Sequence, residues 1–301
     1  MTLLAVERIK LFSTRSPTFS IPLALGLAVG LGAMFTSQSD DENPATVGVT
    51  QMGYSSGLIV MMAMATLSVT TEYRYNTIRL TFQAVPRRAA VLLAKTGVVV
   101  LVSAVTGLIG AFAAWGLGQL VKSDADLALD SGGDWRAVAG VGLVYAVAAV
   151  LAVAVGLLVR HSAAAIAVVL VYTLLLETVV TSIPALGEHV QPWLPFKAAN
   201  YFLTDGQPDR VTEGVSGNTV DYPYGPWIGL LFFAGITAAI YVVSLADISG
   251  GSARATSPVT AEPTCTSQPR MRSASSTRTR PVSMTGTHSA SGSTSVGSAP
   301  R

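Results

Sequence analysis

Six long runs of apolar residues, separated by more polar segments, occupy most of the first 247 residues of this 301-residue chain. Each run is long enough to cross the hydrocarbon core of a bilayer as an α-helix, which satisfies its own backbone hydrogen bonds. A membrane β-barrel would instead show alternating segments of about ten residues, and the sequence has no series of them. The pattern predicts an all-α integral membrane protein with six transmembrane helices. The predicted spans lie near residues 19–36, 51–71, 96–121, 137–159, 162–183 and 226–247.

The two ends of the chain differ from the predicted transmembrane domain at 19–247. Residues 1–18 mix apolar side chains with arginine and lysine, which predicts an N-terminal helix lying in the membrane interface; a frayed terminus is the alternative. From 248 to 301 the sequence is dominated by Ser, Thr, Ala, Pro, Gly and Arg. Such a composition buries too little apolar surface to offset the entropy of ordering. We therefore expect a disordered cytoplasmic tail at 248–301.

Charged residues are scarce and unevenly placed. They make up 12% of the chain, about half of their share in a soluble protein, which argues against an ordinary soluble enzyme. Basic residues concentrate in the cytoplasmic loops of membrane proteins. The segments 1–18 and 72–95 are rich in arginine and lysine, whereas the segments 37–50, 122–136 and 184–225 hold most of the acidic residues. This asymmetry predicts that both termini are cytoplasmic.

Neither a metal centre nor a catalytic site is expected. The chain has one cysteine, Cys265, so it cannot form an internal disulfide. Its three histidines are widely spaced, which argues against a histidine-based metal site. The net charge of +2 gives no sign of a nucleic-acid partner. The run 116–123 is the nearest to a phosphate-binding loop, but Val121 replaces the second required glycine. We therefore expect no ATP site in this chain.

The segment between the second and third spans carries more than positive charge. Ile78, Phe82 and Val85 share one face of a helix, while Ile78, Leu80 and Phe82 also alternate as in a strand. Pro86 ends either element. A short cytoplasmic element with an apolar face is suited to docking in a groove of another protein. The alternative is a basic anchor with no partner.

Three stretches of the chain resemble bacterial ABC-2 type ABC transporter permeases. Residues 7–16 resemble the start of these proteins, 71–88 followed by Lys95 resemble the segment after their second span, and 192–199 resemble an element of actinobacterial members. Asn76 stands where we expect glycine, and asparagine tolerates positive φ next best. The three stretches read ERIKLFSTRS, TEYRYNTIRLTFQAVPRR and PWLPFKAA.

The resemblance implies a permease subunit, and an exporter, that forms the translocation path in the bacterial cell membrane. It implies cytoplasmic ABC ATPase subunits that hold ATP and Mg²⁺, a second permease subunit, identical or different, and no cofactor in this chain. The loop 184–225 would form outer re-entrant or gate helices. An ion-gradient-driven secondary transporter and a non-transporting membrane protein are the alternatives. The residues to which the resemblance gives a coupling role are Glu72, Arg74, Thr77, Ile78, Arg79, Phe82, Val85 and Pro86.

Glu177 is the one acidic residue well inside a predicted span, and a charge there costs about 2.5 kcal/mol or more, so it is functional by default. Tyr172 and Thr173 lie one turn away. Three interpretations stay open: a residue on the substrate path, a hydrogen bond between subunits, and a protonated carboxyl bonded to threonine. Lys95, near the end of the third span, is expected to extend its ammonium to the lipid headgroups.

Two pairs of glycines have the spacing that lets membrane helices approach closely. They are Gly26 with Gly30 in the first span, and Gly53 with Gly57 in the second. We expect both pairs to pack helices, either within the bundle or at a dimer face.

Overall fold

The computed structural model describes residues 8–9, 11, 15–40, 44–75, 88–183, 189–204 and 222–255. The chain divides into two units, Met1–Ser257 and Pro258–Arg301, and all described residues belong to the first. Its elements, in chain order, are helices α1 (Arg15–Ser37), α2 (Val47–Thr50), α3 (Tyr54–Arg74), α4 (Arg88–Val121), α5 (Gly132–Val159) and α6 (Ser162–Leu170), a π-helical segment (Val171–Leu176), helix α7 (Glu177–Thr181), a 3-10 turn (Gln191–Trp193), and helices α8 (Pro195–Thr204) and α9 (Pro226–Ala255).

Six helical stretches are long and apolar enough to cross a membrane, which confirms the predicted all-α architecture with six transmembrane helices. No strand occurs among the described residues. The second stretch combines α2 and α3, and the fifth combines α6, the π-helical segment and α7. The six spans are Ser16–Ser37, Val47–Arg74, Ala90–Val121, Gly132–Val159, Ser162–Thr181 and Pro226–Asp247. Which way the termini face is not set by the helices, so the cytoplasmic orientation stays a prediction.

Capping side chains decide where several helices begin. Span 4 begins at Gly132, before the predicted 137, because Ser131 and Asp134 form a reciprocal capping box. Each of these side chains accepts a hydrogen bond from the other's backbone N–H, which satisfies amides that the helix itself leaves unpaired. Spans 4 and 5 are joined by a turn in which Arg160 has φ 54°, and His161 Nδ1 accepts from Ala164 N at 3.4 Å.

The chain ends predicted from sequence are only partly within the described residues. At the N-terminus, residues 8 and 9 are helical and Leu11 is buried; the rest of 1–14 lies outside the described residues, so the interfacial helix stays a prediction. At the other end, α9 continues to Ala255, past the predicted start of the tail at 248. The remainder of the predicted tail, 256–301, lies outside the described residues.

The fourth span is the centre of the bundle. In its most apolar window 67% of the residues are buried, against 17% for the first and the fifth span. Many of its buried positions carry small side chains, among them Ala148, Ala152 and Ala154. Small side chains let helix axes approach closely, and this gain in van der Waals contact drives association in a lipid solvent.

The two ends of the bundle have different chemistry. We call the end where α3 stops and α4 starts the basic end, because Arg74, Lys95 and Arg160 lie there. We call the opposite end the tryptophan end. All four tryptophans of the chain lie at it, and they are Trp115, Trp135, Trp193 and Trp227.

Candidate functional site

The predicted coupling segment is described only at its first end. Glu72 and Arg74 lie in the last turn of α3, where Arg74 is exposed and its guanidinium carbon lies 5.8 Å from the centre of the Tyr75 ring. The other residues given a coupling role, which are Thr77, Ile78, Arg79, Phe82, Val85 and Pro86, lie outside the described residues. Their role, and the choice between helix and strand for this segment, stay predictions.

Glu72 forms an ion pair with Lys95 inside the bundle. The Lys95 ammonium lies 2.7 Å from Glu72 Oε1, and the two side chains are only 9% and 10% exposed. The expected extension of Lys95 to the headgroups is therefore wrong: a buried carboxylate within reach is a better partner than a distant headgroup, because an unpaired charge is costly in an apolar interior. The pair joins the ends of α3 and α4 on either side of residues 76–87.

Two further contacts join spans at the basic end. The guanidinium of Arg160, between spans 4 and 5, pairs with the carboxylate of Asp247 at the end of span 6; these side chains are 47% and 57% exposed. Deeper in the bundle the hydroxyls of Thr96 and Tyr241 lie 2.8 Å apart and share a hydrogen bond between spans 3 and 6. The basic end is thus held by paired side chains from spans 2, 3 and 6 and from the turn between spans 4 and 5.

Glu177 lies in the fifth span, where the helix changes its hydrogen-bonding pattern. The residue is 2% exposed. Its backbone N–H donates to the carbonyl of Tyr172, which is the i to i−5 bond of a π-helix. This geometry brings Tyr172 and Glu177 to one face, which puts the Tyr172 hydroxyl in position to interact with the Glu177 carboxylate. Thr181, in contrast, donates to the backbone carbonyl of Glu177 and not to its carboxylate.

The Glu177 carboxylate also reaches a second helix of the same chain. It accepts a hydrogen bond from the backbone N–H of Phe196 at 3.0 Å and another from the backbone N–H of Lys197. Both amides belong to the first turn of α8, where a helix has no internal acceptors. The contact joins two helices within one chain; a role of Glu177 on the substrate path or between subunits stays a prediction.

Helix α8 is packed between spans 4 and 6 at the tryptophan end. Phe202 is fully buried against Gly140 of span 4, where a Cβ would lie 2.7 Å from the ring. The Phe196 ring lies 6.0 Å from that of Tyr172 and 5.2 Å from that of Phe233 in span 6. These contacts fix α8 as part of the bundle.

A break in the second span adds a polar site at the same end. The helix stops at Thr50 and restarts at Tyr54, and Gln51 Nε2 donates to the carbonyl of Ala111 in span 3 at 3.1 Å. Broken helices at membrane depth are tolerated where other groups bond the freed polar atoms. A pocket beside the break, lined by Gln51, Tyr54 and Tyr145 among others, has room for about one water molecule.

Tyr54 links this break to α8. Its hydroxyl donates to Asn200 Oδ1 at 3.0 Å, and its carbonyl accepts from the Tyr145 hydroxyl at 2.8 Å. The first contact joins span 2 to α8 and the second joins span 2 to span 4. Helix α8 therefore has polar partners in two spans, through Glu177 and through Tyr54.

Aromatic residues surround the outer side of α8. Tyr201 and Tyr222 stack with ring centres 3.9 Å apart, and the Tyr224 hydroxyl donates to the carbonyl of Pro192. Burial raises the pKa of Tyr224 to about 12, and the nearby Tyr222 and Tyr201 add to this. Tyr224 is therefore a neutral donor at neutral pH. Tryptophan and tyrosine favour the headgroup level of a membrane, which places this end of the bundle near an interface.

A comparison with models of protein families identifies the family of this chain. A model described as "ABC-2 family transporter protein" matches residues 3–176, which is more than half of the chain. The chain belongs to the ABC-2 transporter family. Family and spans together make it a multi-pass membrane protein and a component of membrane transport. No curated protein and no solved structure matches this ABC-2 protein.

The matched range of the ABC-2 protein contains the Glu72–Lys95 pair, the break in the second span and Tyr172. It ends immediately before Glu177, so α7, α8 and α9 lie beyond it. The contacts of Glu177 with α8 thus come from the structure of this chain and not from the family match.

The glycine pairs behave differently in this ABC-2 protein. A Cβ at Gly53 would collide with the carbonyl oxygen of Ala28, and a Cβ at Gly57 would lie 2.7 Å from that of Ala24. Nothing lies within 4 Å of a Cβ built at Gly26 or Gly30. The second pair packs spans 1 and 2 together, whereas Gly26 and Gly30 do not pack within the bundle. Ala24 and Ala28, on the opposite face of α1, make that contact.

Sequence reasoning missed several polar residues of this ABC-2 protein. Gln51 and Asn200 were assigned no role, and Lys95 was given the wrong one. A glutamine near the start of an apolar span is a usable signal for Gln51, because unpaired amides are costly in lipid. Asn200 had none, since its partner is 146 positions away in the chain. Among the described residues no group of three or more metal-ligating acids, histidines and cysteines occurs.

Proposed function

We propose that this chain is the membrane-spanning subunit of an ATP-driven ABC-2 exporter, and that partner ABC ATPase subunits hydrolyse the ATP. The family match over residues 3–176 carries the proposal. The six spans supply a helical bundle for a translocation path. The sequence run closest to a phosphate-binding loop has Val121 in place of a required glycine, so ATP and Mg²⁺ are assigned to the partner.

The segment 76–87 is the proposed contact with the ATPase. It connects α3 to α4, and the buried Glu72–Lys95 pair ties these two helices together beside it. A force applied to the segment is therefore passed to two spans at once and not to one. The apolar side chains Ile78, Phe82 and Val85 would enter a groove on the ATPase, which is how apolar-faced helices dock.

Co-purification with the ATPases encoded beside this chain tests the proposal. One variant scrambles the order of residues 78–85, and the matched control scrambles residues 122–130 at the tryptophan end. We expect the ATPase to co-purify with the wild type and with the control but not with the first variant. Retention of the ATPase by the 78–85 variant would contradict the coupling role.

The proposed location is a bacterial cell membrane with the basic end and both termini in the cytoplasm. Cys265 is the only cysteine in the sequence. Its labelling in the native chain therefore shows on which side of the membrane the C-terminal segment lies. In intact cells a membrane-impermeant maleimide should leave Cys265 unlabelled. A Cys265→Ser background with Ser123→Cys should be labelled, because Ser123 lies at the other end. Labelling of Cys265 in intact cells would reverse the orientation.

A second permease subunit is the proposed partner within the membrane. Gly26 and Gly30 form an exposed small-residue face on the little-buried first span, and such faces pair membrane helices. The double substitution Gly26→Leu with Gly30→Leu should reduce chemical cross-linking between two copies in membranes. The matched control Leu101→Met changes a residue that is 65% exposed on span 3. Equal cross-linking in both variants would exclude this face.

Transport by the reconstituted complex separates this function from the gradient-driven alternative. Efflux that needs hydrolysable ATP and survives collapse of the ion gradients supports the ABC-2 exporter. Efflux that continues without ATP and stops when the gradients collapse supports a secondary transporter. Loss of resistance or of export in a deletion strain supplies the compounds to be tried.

A further inference from the structure

Helix α8 begins at a residue that cannot cap it. The carbonyl of Leu194 accepts the first helical hydrogen bond, from Ala198 N at 2.8 Å, so Leu194 occupies the N-cap position. Helices prefer Ser, Thr, Asp or Asn there, because the side chain accepts bonds from the free amides of the first turn. Leucine has no acceptor. Glu177 of span 5 supplies the missing one from outside, through the N–H groups of Phe196 and Lys197.

The π-helical segment sets the position of this external cap. Its i to i−5 bonding, from the Glu177 N–H to the Tyr172 carbonyl, places the Tyr172 side chain on the same face as the Glu177 carboxylate. In a regular α-helix residues five apart lie about 140° apart around the axis, at 3.6 residues per turn. The Tyr172–Glu177 contact therefore exists only while Val171–Leu176 is π-helical. Such segments are rare and frequently occur at functional sites.

The remainder of the fifth span is little buried by the other spans. Its most apolar window is only 17% buried, and Leu174, Leu175 and Val179 are half exposed on the lipid side. Conversion of the π-helical segment to α-helix shifts the register by one residue, which rotates Glu177 by about 100° relative to Ser162–Leu170. That rotation withdraws the carboxylate from α8 and separates it from Tyr172.

We propose that Glu177 is a positioning residue that latches α8 to span 5 at the tryptophan end, and that the π-helical segment Val171–Leu176 is the hinge that opens the latch during transport. The inference rests on the proposed function, since it gives α8 the part of an end gate of an ATP-driven permease. While the latch is closed, α8 stays between spans 4, 5 and 6. When it opens, the first turn of α8 loses its cap and α8 is free to leave span 5.

Hydrogen–deuterium exchange of the full chain in phospholipid nanodiscs tests the closed latch without any partner. Glu177→Met removes the acceptor and keeps an apolar side chain of similar length. We expect the amides in 194–204 to exchange about tenfold faster or more, because a bond to a charged group is lost. Glu177→Gln, which keeps one acceptor oxygen, should fall between Glu177→Met and the wild type. Tyr172→Phe should give a smaller increase.

The control variant Val179→Met changes an exposed residue of the same span, 58% exposed, and should leave exchange at 194–204 within about twofold of the wild type. Glu177→Gln and Tyr172→Phe keep the experiment decisive if Glu177→Met does not fold. Exchange at 194–204 that is the same in every folded Glu177 and Tyr172 variant as in the wild type overturns the latch.

Exchange in the complex with its ATPase tests the opening. In the wild type we expect exchange at 194–204 to differ about threefold or more between the nucleotide-free complex and the complex with a non-hydrolysable ATP analogue. In Glu177→Gln the difference should shrink. A cap that serves only stability would not respond to nucleotide, so equal exchange in both states of the wild type overturns the hinge. A chain that binds no ATPase at all contradicts the proposed function instead, and the nanodisc measurement still decides whether Glu177 holds α8.

Discussion

Two carboxylates are buried among the residues that the structure describes, and they lie at opposite ends of the bundle of this ABC-2 protein and are satisfied in different ways. Glu72, at the basic end, faces the full charge of Lys95 at 2.7 Å. Glu177, at the tryptophan end, accepts a hydrogen bond from the backbone amide of Phe196 in α8 and shares a face with Tyr172. Removing one partner of the charge pair leaves the other charge buried and unpaired, whereas removing Glu177 leaves only neutral groups behind. The basic end thus joins two spans through a charge pair, and the proposed latch at the other end uses weaker contacts that could be released.

The largest expected effect is the loss of Glu72. Glu72→Leu leaves the Lys95 ammonium unpaired in an almost closed site, and breaking a buried pair in this way costs about 3–5 kcal/mol. We expect the free energy of unfolding, measured by denaturant titration in mixed micelles, to fall by that amount. The double variant Glu72→Leu with Lys95→Met should recover most of the loss, since no charge stays buried. Equal loss in the single and double variants would mean that packing, not charge, holds this end.

Glu177→Met is expected to cost less, about 1.5–3 kcal/mol, because the groups it leaves are amides and a hydroxyl and not a charge. The same titration measures it, and Val179→Met is the control with a change within about 0.5 kcal/mol. A loss larger than that of Glu72→Leu would erase the difference between the two ends.

Gln51 is a neutral buried group at the same end as Glu177. Its substitution therefore shows how much of the effect at this end depends on the acceptor being a carboxylate. Gln51→Leu removes its bond to the Ala111 carbonyl and should cost about 1 kcal/mol, as neutral hydrogen bonds do. In unfolding titrations, Gln51→Leu should therefore lose less stability than Glu177→Met. The reverse order would show that the break in span 2 matters more than the cap on α8.

The smallest effect is expected at the exposed pair of the basic end. Asp247→Asn removes the charge that pairs with Arg160, but both side chains are about half exposed, so the cost should stay below about 1 kcal/mol. The loss should disappear when the titration is repeated in about 1 M salt, whose screening length is about 3 Å. The loss in Glu72→Leu should persist there, because water and ions do not reach the pair. Similar salt dependence in both variants would place the Glu72–Lys95 pair in solvent.

The first span shows where a sequence pattern was sufficient and where it was not. The composition required a membrane helix here, and α1 confirms it. The two faces of that helix both carry small residues at four-residue spacing, so the pattern could not tell which face packs inward. The structure places Ala24 and Ala28 against span 2 and leaves Gly26 and Gly30 open. Spacing reports which residues share a face, but only the neighbouring helix decides which face is covered.

The sequence by itself determined that this protein lies in a membrane, how many spans it has and that few charges lie inside them. Each of these follows from the cost of exposing polar groups to lipid. Only the tertiary structure decided which partner satisfies each buried charge. Lys95 finds Glu72 across a segment of the chain, and Glu177 finds the start of α8, because a hydrogen bond acts over about 3 Å and that distance is set by how the helices cross. The pattern of residues along the chain does not specify that distance.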